Sequence, residues 1–287
     1  VALLAVSGSA LGLMQVFATL AYRDGFSVPG MLTGRFLVTS SVIWALIIAL
    51  GRPLPDRRRI LLGLGYGGII YAAQALFFYT ALKRIDPAIA TVVFYVYPAL
   101  VFCVAVPLGR DRFTWARLVG VPFALVGVTL VAVGAGVGSM DGLGIALALA
   151  AAATYVVFVL AGDTIGEGID PFVLAALFTT GALPTFVLYG LLTGGFSFAV
   201  TPSGSAWTAC VGIVSVVAYL CLFAGLRRAG PTIATLLANM EPVVVVIAST
   251  LILGTSLTAT QLVGAALVVG SVVVVNAIDM GSGPRPP

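Results

Sequence analysis

The sequence predicts an all-α membrane protein: ten transmembrane helices forming a 5+5 inverted-topology repeat, with both termini in the cytoplasm. Three observations predict it. The composition is too apolar for a soluble domain, the apolar runs recur at membrane-spanning length, and the second half of the chain repeats the first.

Of 287 residues, 61% are hydrophobic and 8% are charged, and the mean hydropathy is +1.17. Soluble domains carry roughly 25% charged residues, so chain length does not count soluble domains here. Histidine is absent, which excludes imidazole-based metal sites, catalytic triads and imidazole proton relays. Cys103, Cys210 and Cys221 are scattered through apolar runs without metal-ligand spacing and read as small apolar residues. We therefore expect no metal and no cofactor. The net charge of +4 does not imply nucleic acid, because in a membrane protein the distribution of Lys and Arg among loops carries the information. The chain opens at Val1 rather than methionine, so its true N-terminus is expected upstream. No basic segment precedes the first apolar run and more such runs follow, so it reads as a spanning helix and not a signal peptide.

A hydrocarbon core of ~30 Å takes about 20 helical residues at ~1.5 Å each. Segmenting on that length gives spans at 1–22, 29–50, 60–82, 88–108, 116–136, 142–162, 172–192, 207–226, 232–253 and 259–277. Connections such as "GRPLPDRRR", "KRIDP", "DTIGEGIDP" and "RRAGP" are rich in turn residues. With cytoplasmic termini, the inner loops hold Arg52, Arg57, Arg58, Arg59, Arg110, Arg112, Arg117, Arg227, Arg228 and Arg285. The outer loops hold only Arg23, Lys83 and Arg84. That imbalance sets the orientation.

The repeat is legible without gaps. "ALKRIDPAIATVVFYVYPALV" (81–101) aligns with "GLRRAGPTIATLLANMEPVVV" (225–245), pairing Pro87 with Pro231, Ile89-Ala90-Thr91 with Ile233-Ala234-Thr235, and Pro98 with Pro242. "LGRDRFTWARLVG" resembles "LGTSLTATQLVG" after a one-residue gap. The division predicted is residues 1–136 for the first repeat, 137–279 for the second, and 280–287 for a disordered tail. Five spans per half reverse the orientation of the second. Inverted repeats are typical of secondary carriers, whose sites lie at the midplane between the halves.

These segments, with "SVPGMLTGRFLVTSSVIWAL" and its arginine near the start of a second span, resemble the EamA-type carriers of the drug/metabolite transporter superfamily. "FYVYP" is similar to the aromatic-rich stretch of its YddG-type exporters of aromatic and other amino acids. The resemblance covers nearly the whole chain. It implies a multi-pass plasma-membrane protein (a bacterial inner membrane) that functions as a monomer. Its partners would be a small-molecule substrate and the lipid bilayer, without nucleic acid. One departure stands out: Arg110 and Thr255 occupy places where the family often has an acid, which puts any loop ion pair built on that acid in doubt.

Glu241 is the only carboxylate well inside a span, near the midplane. An ionised acid there costs at least ~2.5–3.5 kcal/mol. It is either a partner for a substrate ammonium or a proton, or a protonated acid bonded to a neighbouring helix. Pro98 and Pro242 cannot donate backbone hydrogen bonds and free the carbonyls of Phe94 and Ala238, so both are candidate hinges. The first-half counterparts of Asn239 and Glu241 are Tyr95 and Tyr97. Tyr71, Gln74 and Phe78 fall on one helical face. Gln15, Trp44, Tyr155 and Tyr219 add amphipathic groups at mid-span depth. Together these eleven residues predict an aromatic cage with few polar tips, suited to partly apolar, partly charged ligands. Arg35 is six residues past Pro29 and reaches a carboxylate or phosphate, snorkels outward, or holds an outer gate; it is assigned to gating. The fifth and tenth spans are aliphatic with small residues and are expected to buttress the bundle.

The leading functional reading is alternating-access export of amphipathic amino acids. The alternative is a proton-coupled multidrug or organic-cation exporter using Glu241. Enzyme chemistry is not expected, because the histidines or paired membrane aspartates of intramembrane proteases are missing.

Overall fold

The structure, a computed structural model, describes residues 2–109, 115–133, 141–196, 202–238, 240–255 and 257–281. Within these, the side chains at 115–121, 132–133, 163, 223–238, 272 and 275–281 lie outside the description. Every regular element among the described residues is helical. In order they are α1 (Ala2–Arg23), α2 (Val28–Ala49), α3 (Arg57–Tyr66), α4 (Ala72–Leu82), α5 (Pro87–Phe94), α6 (Tyr97–Ala105) and α7 (Trp115–Val133). They continue with α8 (Gly142–Gly166), α9 (Pro171–Leu192), α10 (Pro202–Ala238), α11 (Met240–Ala248) and α12 (Ala259–Gly281). A π-helical turn at Gly67–Tyr71 joins α3 to α4, and a second at Ser249–Leu253 ends α11.

Among the described residues, seven helices are long and apolar enough to cross a membrane: Ala2–Arg23, Val28–Ala49, Arg57–Leu82, Pro87–Ala105, Gly142–Gly166, Pro171–Leu192 and Pro202–Leu222. Shorter apolar stretches at Pro122–Val131, Met240–Leu253 and Ala259–Ser271 fall where the sequence places the fifth, ninth and tenth spans. Residues 280 and 281 continue α12 into the predicted tail, whose remainder lies outside the described residues.

Helix starts follow local chemistry. Ser27 caps α2 by accepting from the Gly30 N–H, while Asp86, Asp141 and Asp170 cap α5, α8 and α9 through their carboxylates. Desolvation at the α8 terminus works against ionisation of Asp141. The Arg84 guanidinium and the N–H groups of Gly144 and Leu143 outweigh it and hold that carboxyl below the usual range. Helix ends use glycine. All described positive-φ residues are glycines, and they fall into three pairs of nearly constant spacing: Gly25 with Gly168, Gly51 with Gly194, and Gly109 with Gly254. Left-handed backbone costs glycine little.

One predicted connection differs. The sequence places a break at "RRAGP", yet backbone helix runs unbroken from Pro202 to Ala238. Ser7 of α1 donates to the Ala218 carbonyl and Gln15 of α1 donates to Glu241. Those two α1 residues are only ~12 Å apart along the axis, whereas a straight helix would separate 218 from 241 by ~34 Å. The chain therefore folds back between them.

The main helix contacts join the two predicted halves: α1 with α10 and α11, α2 with α9, α4 with α8, and α7 with α12. The α7–α12 seam is close, since a Cβ on Gly127 would lie 2.6 Å from the Gly264 carbonyl oxygen. The larger buried cluster centres on α1, α2, α4 and α5, and a second forms around Ile43, Ile47, Val173 and Leu177.

Candidate functional site

The site begins with two close approaches. Gly12 lets α11 press against α1, since a Cβ there would lie 3.0 Å from the Glu241 carbonyl oxygen. One turn later on α1, the buried Gln15 donates from Nε2 to Glu241 Oε1 at 2.6 Å. Its Oε1 lies against the Thr91 hydroxyl of α5. The second carboxylate oxygen, Oε2, accepts from the Tyr95 hydroxyl at 3.1 Å. The half-buried Glu241 side chain is thus held by neutral donors from α1 and from the α5–α6 junction.

That junction is where Pro98 acts. α5 ends at Phe94, and Tyr95 and Val96 form a turn whose N–H groups bond Thr91 and Val93. α6 then restarts at Tyr97 with Pro98 in its first turn, where a missing N–H costs nothing. The break places Tyr95 and Tyr97 side by side, with ring centroids 5.7 Å apart. From there an aromatic run continues through Tyr155 (4.7 Å from Tyr97), Phe158 (5.6 Å from Tyr155) and Tyr71 (5.0 Å from Phe158) to Phe36. Phe78 packs on Phe94 at 5.0 Å, and Tyr71 shares a 2.5 Å hydroxyl contact with Tyr219. The π-helical turn ends at Tyr71, and such turns are frequent at functional sites.

Most predicted residues converge here: Gln15, Tyr71, Phe78, Tyr95, Tyr97, Tyr155, Tyr219 and Glu241. Gln74 is buried on α4 in the same cluster region and makes no hydrogen bond to the described residues. Trp44 is placed apart. It packs against the second cluster and donates to Thr180 Oγ1 at 2.8 Å, without a hydrogen bond to the Glu241 group among the described residues. Pro242 is buried in the first turn of α11, and Asn239 lies outside the described residues.

Arg35 departs from the outward snorkelling weighed for it. It is 5% exposed, with Nε donating to Ser215 Oγ at 3.0 Å and Nη1 to the Tyr79 hydroxyl at 2.6 Å. Its guanidinium carbon lies 5.0 Å from the Phe36 ring and 5.1 Å from that of Tyr79. The physical reason is that hydroxyls and ring faces inside the bundle satisfy it better than a stretched path to a headgroup.

Thr91, Tyr79, Phe158 and Ser215 were not singled out from sequence. Thr91 carried a signal, since its Ile-Ala-Thr run is duplicated. Phe158 carried a weaker one, three residues after Tyr155 on the same helical face.

Among solved structures, one crystal structure at 22% identity superposes with a TM-score of 0.67 over 96% of this chain and 99% of its own, which shows a shared fold. No curated protein matches the chain. The EamA-like transporter family matches residues 1–133 and again 142–277. The chain therefore belongs to the EamA-like transporter family and is a multi-pass membrane transporter.

Proposed function

We propose that this transporter exports amphipathic amino acids, with aromatic ones foremost, by alternating access through a cavity between two inverted five-helix repeats. The observation that carries the reading is the Glu241 carboxylate. It is half-buried in the bundle, held among the described residues by Gln15 and Tyr95, at the head of an aromatic run from Tyr97 to Tyr71. A carboxylate facing phenol rings suits an ammonium with an aromatic body.

Several observations support the repeat and its topology of ten spans with both termini cytoplasmic. The family matches twice, once per half. The positive-φ glycines pair between halves. Loop contacts join only loops expected on one side: Arg52 with Asp170 and Arg59 with the Glu167 carbonyl inside, Arg84 with Asp141 outside. The helix break at Tyr95–Val96 supports a hinge in the first half. The likeness of "FYVYP" to YddG-type exporters supports outward transport across a plasma membrane.

The test is Glu241→Gln in proteoliposomes, with counterflow of phenylalanine and a panel of amino acids and organic cations, with and without a pH gradient. The expected result is phenylalanine counterflow by the wild type and at least a tenfold loss in the variant. A wild type that moves only organic cations, driven by the pH gradient, would replace this reading with the multidrug one.

A further inference from the structure

Arg35 lies within electrostatic reach of the Glu241 carboxylate but makes no ion pair with it. Its guanidinium is buried, yet both of its hydrogen bonds go to neutral hydroxyls, Ser215 and Tyr79. No carboxylate among the described residues forms an ion pair with it. A buried cation is normally paired, and an unpaired one inside a membrane bundle marks a functional site. Guanidinium has five donors in a planar fork, and the described residues take two of them. The phenols of Tyr79, Tyr219, Tyr71 and Tyr22 lie within electrostatic reach of the charge.

A second observation points the same way. Tyr22, Thr33 and Thr208 bury hydroxyl oxygens without a hydrogen-bond partner among the described residues. All three belong to the end of the bundle where α1 finishes and α2, which carries Arg35, and α10 begin. Orphaned buried hydroxyls are rare in folded proteins and call for a ligand or water.

The Arg35 and Glu241 groups are also neighbours. Ser215, which accepts from Arg35, contacts Met14 Sδ at 2.9 Å, and the next residue on α1 is Gln15, which holds Glu241. The Tyr71–Tyr219 contact connects the aromatic run to the same region.

We infer that Arg35 is the anion-binding residue of the transport site. It takes the substrate carboxylate on its uncommitted donors, while the ring faces of the aromatic run receive the body of the molecule. The inference rests on the amino-acid reading above and assigns the opposite pole of the zwitterion. A planar carboxylate matches the fork in geometry, and the neutral partners leave the cation's charge for the ligand to balance.

Thermal unfolding of the purified full chain tests this apart from transport. The ligands are 3-phenylpropionate, its neutral amide, and phenethylamine. The wild type is expected to be stabilised by the carboxylate and not by the amide. R35K is expected to lose at least about tenfold in apparent carboxylate affinity while its response to phenethylamine is unchanged. Where R35K gives no cooperative transition, R35Q is read with the same expectation. Equal stabilisation by carboxylate and amide, no stabilisation by either, or an undiminished carboxylate response in the Arg35 variant overturns the inference. A wild type that binds 3-phenylpropionate through Arg35 but moves no amino acid in proteoliposomes would leave this inference standing and sink the amino-acid reading.

Discussion

Gln15 is a two-sided contact, since its amide bridges Thr91 on α5 and Glu241 on α11. Replacing it with leucine keeps the volume and strips both faces. Glu241 would lose its shorter hydrogen bond, and leaving a buried polar group unpaired costs about 1–3 kcal/mol. We expect Gln15→Leu to unfold several degrees below the wild type in a thermal melt and to transport poorly. An unchanged melting temperature would mean that the bridge contributes nothing. The sequence made Gln15 and Glu241 visible as polar groups in apolar helices. It did not make them visible as partners, because they are far apart in sequence and no charge complementarity links an amide to an acid. Arg35 was harder still. Its partners Ser215 and Tyr79 are neutral and common in membrane helices, so nothing in their identity announces a buried cation. Trp44 shows the converse limit: mid-span depth says an aromatic is inside the membrane, but not which cluster it joins.

At the scale of elements, glycine placement separates contact from mere tolerance. A Cβ on Gly264 of α12 would stand 2.5 Å from the Gly127 carbonyl oxygen, while one on Gly270 of the same helix meets nothing within 4 Å. Backbone cannot yield as a side chain does, and overpacking costs roughly 1–3 kcal/mol. Gly270→Ala, in contrast, gains up to about 1 kcal/mol of helix propensity. We therefore expect Gly264→Ala to lower the melting temperature and Gly270→Ala to leave it level or raise it. Equal effects would place the α7–α12 seam elsewhere. Hydropathy and small residues foretold the close packing of these helices. Which glycine sits at the crossing was not legible, because rotation about the axis depends on the partner helix. The Pro98 break was legible because proline restricts its own backbone. The π-helical turn at Gly67–Tyr71 was not, since no residue type demands it.

At the scale of the molecule, the loops offer a direct check of topology. The start of α3, with Arg58, and the turn containing Lys83 are proposed to lie on opposite membrane faces. In a cysteine-free background, an impermeant maleimide added outside right-side-out vesicles is expected to label Lys83→Cys and not Arg58→Cys. Labelling of both, or of the second alone, would refute the proposed orientation. The all-helical membrane character was legible in the sequence, because membrane spans advertise their length. The sequence predicts a loop at "RRAGP", and the backbone there is helical up to Ala238.

The contacts between halves have a consequence for how the protein is made. α1, α2, α4 and α7 each find a main partner in helices encoded later. While the ribosome is still translating the second half, Gln15 waits for Glu241 and Arg35 waits for Ser215. During that interval a charged α2 sits in the membrane without its final neighbours, and Tyr79, on the third predicted span, is the first of them to arrive. Of the two hydroxyls that Arg35 bonds, Tyr79 is therefore in place before Ser215 has been made, so the first contact of the cation lies within its own half of the chain.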